Sequence, residues 1–303
     1  MALKLIKNKI RSTQRTGKVT KAMEAVSAVK MRKSQERALA GRSYARAALR
    51  ILGQISGTQE GVRHAFAADR GGSRHCYIVV TSDKGLAGSV NSAVLKLLES
   101  SIAGVSSDDL TFITFGRKAT EYVTNRNYAV LKSFVNMSDT VSLDEMDNAV
   151  RVATDAFVDM RCDYVSIIYQ NFISTFEQHP TKHQLLPLRE DAVTAIVRGI
   201  VSTRGSHVEV ATEESSIAQY TIEPSAEEVV DLLVPRLLSI MLYHALLESK
   251  ASEHSARMVA MKNATDKAKE MTKLLTLAFN KERQAVITRE VSEITGGIEA
   301  MAR

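Results

Sequence analysis

The clearest pattern in the chain lies after Pro224, where apolar side chains recur three or four residues apart. No proline follows Pro235 and no glycine comes before Gly296 and Gly297. The spacing predicts one very long helix over 225–303, opened by a capping box of Ser225 and Glu228 and kinked or broken at Pro235. At about 1.5 Å per residue such a helix spans on the order of 100 Å, so it needs a partner along its length. Met258, Met261, Ala264, Ala268, Met271, Leu275 and Ala278 form the expected seam, with Lys262, Lys267, Lys269 and Glu270 around it. Alanine allows close approach and methionine tolerates repacking, which suits a slim coil able to slide past its neighbours.

A second long helix is predicted from Ala2 to about Gly53, with Ile6, Ile10, Val19, Met23, Val26 and Val29 as its apolar stripe. Lys4, Lys7, Lys9, Arg11, Arg15, Lys18 and Lys21 crowd its other faces. That basic face is either simply solvated or a docking face for acidic protein loops. Between the two helices the period changes. Short β-branched runs at 76–81, 110–115, 128–132 and 163–169 alternate with helical patterns at 89–101, 117–125 and 143–160. This alternation predicts a parallel, doubly wound sheet. Residues 171–223 read as an edge hairpin plus a variable loop. The expected architecture is an α/β, Rossmann-like central domain inserted between terminal helices that form an antiparallel coiled coil, divided as 1–55, 74–223 and 225–303.

Composition narrows the function classes. The chain has 303 residues, a net charge of +6 and no tryptophan, and that modest excess does not point to nucleic acid. No apolar run is expected to serve as a membrane span, and the basic start lacks the apolar stretch of a secretory signal. Cys76 and Cys162 are the two cysteines, so neither a disulfide framework nor a Cys-x-x-Cys metal pair is expected. His179 and His183 are separated by Pro180, and no cofactor or metal is anticipated. The strand-to-helix loop Thr81–Gly88 could seat a phosphate, but its Lys84-Gly85 order reverses that of a phosphate-binding loop, so a tight structural turn is the alternative reading. At this level two functions stand: a mechanical rod with a globular foot, or an α/β enzyme with a dimerising coiled coil.

Three separated stretches carry a resemblance. Ile6–Ser12 with Gly17–Met23, Ser82–Gly88, and Ala245–Met261 continuing through Asn280–Thr288 to Glu293–Gly297 are similar to the gamma subunit family of F-type ATP synthases, bacterial type. The resemblance implies a non-catalytic central rotor stalk. It would couple proton flow through the membrane sector to ATP synthesis at the alpha/beta head and regulate ATPase activity. It further implies one copy per complex, partnered by alpha, beta, epsilon and the c-ring, without nucleic acid or a membrane span of its own. The implied location is peripheral, on the cytoplasmic side of a bacterial cell membrane, with no transit peptide. By the family pattern Lys21, Met23, Arg283, Gln284 and Thr288 face the beta subunits. Met23 is expected near Arg283–Thr288, and Ser27 near Thr276. Lys84 and Ala87 depart from the family's usual Arg and Cys in the middle motif.

Overall fold

The computed structural model describes residues 2–40, 65–66, 70–188 and 226–301. These form two compact units, Val29–Ala256 and a second made of Met1–Ala28 with Arg257–Arg303. The expected capping box at Ser225, the first helix beyond Ala40 and the expected variable loop after residue 188 lie outside the described residues.

The larger unit is built on a five-stranded sheet of order β3-β2-β1-β4-β5. Its strands are β1 (His75–Val80), β2 (Leu110–Phe115), β3 (Ala129–Phe134), β4 (Tyr164–Phe172) and β5 (Gln178–Leu186). The first four pair in parallel, and β5 closes the edge as the antiparallel arm of a hairpin with β4. Alternation explains why these runs are strands: Cys76, Ile78 and Val80 enter one hydrophobic cluster, whereas Tyr77 and Val79 enter the other. A parallel sheet must be covered on both faces. One cover comes from α2 (Val90–Ile102) and α3 (Arg117–Asn125) through Val94, Leu98, Ala119 and Val123. The other comes from α4 (Leu143–Val158) and the first part of α5 (Ala226–Met301). Ser142 starts α4 with a capping box to Glu145, satisfying two backbone donors that a helix start leaves open.

Pro235 neither ends nor divides α5, which runs unbroken through it. The lost backbone bond is offset because Val234, Leu237, Leu238 and Met241 are buried in the sheet cluster on either side of it. The helix also carries a stretch that composition alone would allow to cross a membrane. An 18-residue window within it reaches a mean hydropathy of 1.3, long and apolar enough to cross a membrane by composition, yet 72% of that window is buried within the fold. It is a core helix of the sheet unit.

The smaller unit is an antiparallel helix pair, made of the first part of α1 (Ala2–Ala40) and the last part of α5. The Thr20 and Thr265 hydroxyls share a buried hydrogen bond of 2.6 Å. A side chain added at Gly17 would meet the Ala268 Cβ at 3.4 Å. Moving three residues back along α1 therefore moves three forward along α5.

Candidate functional site

In doubly wound folds ligands bind beyond the carboxyl ends of the strands, so that crevice is the first place to look. Here its polar groups hold the protein's own backbone. The Thr81 hydroxyl accepts from Ala119 N at 2.8 Å. Asp83 Oδ1 accepts from Arg117 N at 3.0 Å and from Asn136 N at 2.9 Å. Asn91 and Ser82 bond each other side chain to side chain. Gly116 has a φ of +88°, and a Cβ there would lie 2.2 Å from the Thr81 carbonyl, so a side chain is excluded where β2 passes the loop. Leu246, Ser249, Lys250 and Glu253 of α5 fill the remaining space, leaving about 20 Å³. That volume holds on the order of one water. Thr81–Gly88 is thus a structural knot, and the crevice is occupied by the chain's own helix.

The helix pair offers a different kind of surface. Carried along α1, the Gly17–Ala268 and Thr20–Thr265 register faces Ile6 with Phe279, Ile10 with Leu275, Thr13 with Thr272 and Ser27 with Met258. All of these positions are at least partly buried, and they alternate three and four apart on both helices, as a left-handed coil requires. The expected seam is right at Met258, Met261, Ala268 and Leu275, but it drifts elsewhere. Met271 and Ala278 are exposed, while Thr272 and Phe279 turn inward in their place and Thr265 is buried beside the partly buried Ala264. On α1, Val19, Val26 and Val29 are exposed, although the periodicity had placed them inside. Close helix approach is the reason. Glycine, alanine and serine let the backbones come close at Gly17, Ala268 and Ser27, and the inward threonines at 20 and 265 are held by the hydroxyl bond they share, which valine cannot make. The missed signal was the strict three-four alternation of small polar residues.

The same register corrects the expected placement of Met23 and Ser27. Met23 lies opposite the neighbourhood of Lys262, and Arg283 falls about twenty residues farther on, roughly 30 Å at about 1.5 Å per residue. The five candidate residues therefore form two groups. Lys21 is exposed and Met23 half-buried on the paired part of α1, whereas Arg283, Gln284 and Thr288 are exposed where the register reaches and then passes the start of α1. In that unpaired segment Ile287, Val291, Ile294, Ile298 and Met301 make an outward stripe, each at least half exposed. Val19 and Val26 add a second one on α1, beside the exposed Lys7, Arg11, Arg15, Lys18 and Lys21. Apolar rows beside basic ones mark a face made for protein contact.

Known proteins agree with this description. The family model described as ATP synthase matches residues 2–301. The ATP synthase gamma chain of Symbiobacterium thermophilum is 37% identical over 300 residues, covering 98% of both chains. Among solved structures, a chain of the Euglena gracilis mitochondrial ATP synthase OSCP/F1/c-ring assembly superposes with a TM-score of 0.69 at 17% identity, covering 99% of this chain and 94% of that one. A chain of the Tetrahymena thermophila mitochondrial ATP synthase central stalk and c-ring gives 0.57 at 24% identity, covering 81% of this chain and 99% of that one. These last likenesses establish the shared fold. With its family model spanning nearly every residue and a full-length relative, the chain belongs to the ATP synthase gamma-chain family.

Proposed function

We infer that this chain turns as the central stalk of a proton-driven ATP synthase, coupling proton flow to ATP synthesis in the catalytic head and restraining ATP hydrolysis there. The observation that carries this reading is the narrow antiparallel pair that runs out into a single helix with exposed apolar rows. A thin seam of Gly17, Thr20, Ser27, Ala268 and Thr265 gives a shaft of small diameter, and outward residues that differ around it contact each surrounding subunit differently. Such differential contact is what shifts a conformational equilibrium. The chain is a non-catalytic subunit, and the catalytic sites belong to beta.

Its partners in this reading are the alpha and beta subunits around the helix pair, and epsilon and the c-ring at the α/β part, with one copy in each complex. The segment division 1–55, 74–223 and 225–303 goes with that arrangement. The location follows: peripheral to the membrane, on the cytoplasmic side in a bacterium. Lys21 and Met23 contact beta at one level of the shaft, and Arg283, Gln284 and Thr288 at another about 30 Å away.

Co-purification with alpha, beta and epsilon, followed by rotation and ATPase assays, tests this function. The assembled complex is expected to turn and hydrolyse ATP, and the isolated chain to do neither. Tight nucleotide binding by the isolated chain would return the enzyme reading. Replacing Arg283 and Gln284 together by Ala should lower ATPase activity of the complex while leaving the helix content of the isolated chain unchanged, because charge-assisted bonds contribute about 1.5–3 kcal/mol each. Unchanged ATPase and torque would remove these residues from the contact face.

A further inference from the structure

A stalk that works by turning must pass torque between its sheet portion and its helices, and within the larger unit a set of polar bonds joins the two. Most of them tie the sheet portion to α5. Arg236 meets Asp147 at 3.0 Å. Ser252 donates to the Gln170 carbonyl at 3.3 Å, and Ser255 to the Thr175 carbonyl at 2.6 Å. One residue reaches both helices.

Asp139 sits in the loop between β3 and α4. Lys30 of α1 lies 2.7 Å from its Oδ2. From α5, His254 Nε2 lies 3.3 Å from its Oδ1, and Lys250 Nζ lies 3.8 Å from the same oxygen. The backbone of the loop is held as well. Arg37 donates to the Asp139 carbonyl at 2.8 Å, and Lys250 donates to the Ser138 carbonyl at 2.8 Å and the Met137 carbonyl at 3.3 Å. Four basic side chains from two helices thus converge on three loop residues. Among the described residues, both polar contacts of the 29–40 stretch of α1 with the sheet portion end on Asp139. Burial alone would raise the Asp139 carboxyl, but Lys30, His254 and Lys250 outweigh it and hold the group below the ordinary carboxylate range.

We propose that Asp139 is a positioning residue for energy coupling: a torsional latch that fixes the sheet portion to both shaft helices at once. Bolted to α5 alone, the sheet portion can swing about a single helix. Bolted to two helices, it resists that swing, because a twist must then stretch bonds on both. The latch has a graded response to salt. Lys30 and Asp139 are each 41% exposed and so are open to screening, whereas the side chains of Lys250 and His254 are 11% and 5% exposed and are sheltered from it. This inference rests on the stalk reading above.

The test uses the whole complex reconstituted in lipid vesicles, with Asp139→Ala, Asp139→Glu and Lys30→Gln. ATP hydrolysis, ATP-driven proton pumping and the angular fluctuation of a bead on the sheet portion are measured with the head fixed. Asp139→Ala is expected to lower pumping per ATP hydrolysed by about twofold or more, the lower end of what network substitutions do to coupling. It should also widen the bead's fluctuation while hydrolysis itself persists. Asp139→Glu should restore both readouts. Lys30→Gln, at a side chain that is 41% exposed, should act in the same direction but less strongly, and it serves if Asp139→Ala does not assemble. High salt should soften the wild-type stalk but add little to Lys30→Gln. A merely structural role would lower hydrolysis and pumping together and leave the bead unaffected. That outcome, or unaltered coupling and fluctuation in both Asp139→Ala and Lys30→Gln, overturns the latch. A wild-type chain that fails to join the head would instead overturn the stalk reading itself.

Discussion

The two units hold together by opposite means. In the sheet unit Tyr77, Phe112, Phe115, Phe157, Leu98 and Leu237 are all under 2% exposed, and Phe115 stacks on Phe134 with ring centroids 4.7 Å apart. In the helix pair the side chains buried between the helices include Thr20, Ser27, Thr265 and Ala268, with Met261 the largest apolar one. A sheet core gains stability from apolar area removed from water, at about 25 cal/mol per Å². The seam also holds Ile6, Ile10, Leu275 and Phe279, but these stay partly exposed, so it removes less such area per residue. The difference teaches that the sheet unit can stand on its own core, whereas the pair trades stability for a narrow diameter and leaves apolar surface for other subunits to cover.

The largest effect expected from this contrast is in the sheet core. Phe112→Ala should destabilise the sheet unit by about 3–5 kcal/mol, read as a shift of its denaturant midpoint, because the void in a dense core collapses only in part. A loss below about 1 kcal/mol would mean that this core is loosely packed and that the contrast with the coil is false.

A smaller effect is expected where the interior strands β1 and β4 of the same sheet begin. Asp163, 2% exposed, accepts from Arg74 N at 3.1 Å, Nε at 3.0 Å and Nη2 at 2.8 Å. The Arg74 side chain holds its carboxyl below the ordinary range, against the desolvation that would raise it. A depressed folded pKa means stability that is complete above the unfolded value of about 3.9 and lost as pH falls through the folded one. Asp163→Asn should therefore cost about 1.5–3 kcal/mol at neutral pH and flatten the dependence below about pH 4. An acid unfolding curve unaltered by the substitution would count against this site.

Next comes the coil. The paired replacement of Thr20 and Thr265 by Val removes one hydrogen bond without leaving either partner alone, so it should change stability by about 1 kcal/mol or less. Its expected signature is greater freedom of register rather than unfolding, since a buried polar pair is a known way to specify one alignment. Spin labels at Val19 and Asp266, both exposed and at the same level of the pair in the observed register, should report a short distance in the wild type and a broadened one in the double variant. A pair at Val19 and Arg283 should be clearly longer, since its second site is displaced by about 25 Å along the helix. Equal distances for the two pairs would contradict the register itself.

Much of the sheet unit was legible from sequence. The run at 110–115 and the helix at 117–125 match the structure residue for residue, and the strands expected at 76–81 and 163–169 begin within one residue of theirs. Local periodicity suffices there because each face of a strand meets a different covering layer, so inward positions must be apolar. The antiparallel direction of the coil was legible too, since an inserted domain forces the chain to reverse. Its seam was not. Val19, Val26 and Met271 outscore Thr20, Ser27 and Thr272 in hydrophobicity, yet the former face outward and the latter inward. Small side chains at Gly17, Ser27 and Ala268 and the hydroxyl bond of Thr20 with Thr265 set the inner face, and that pairing depends on which residue of the other helix stands opposite.

The convergence of Lys30, Lys250 and His254 on Asp139 was likewise invisible in the sequence, because it joins residues more than a hundred positions apart. By itself the sequence determined the elements, their order and the reversal of the chain, since these follow from local periods and connectivity. Tertiary structure alone decided the register of the helix pair, the closing of the strand-end crevice by α5 and the meeting at Asp139. Each of these depends on the distance between segments remote in the chain, which no local pattern encodes.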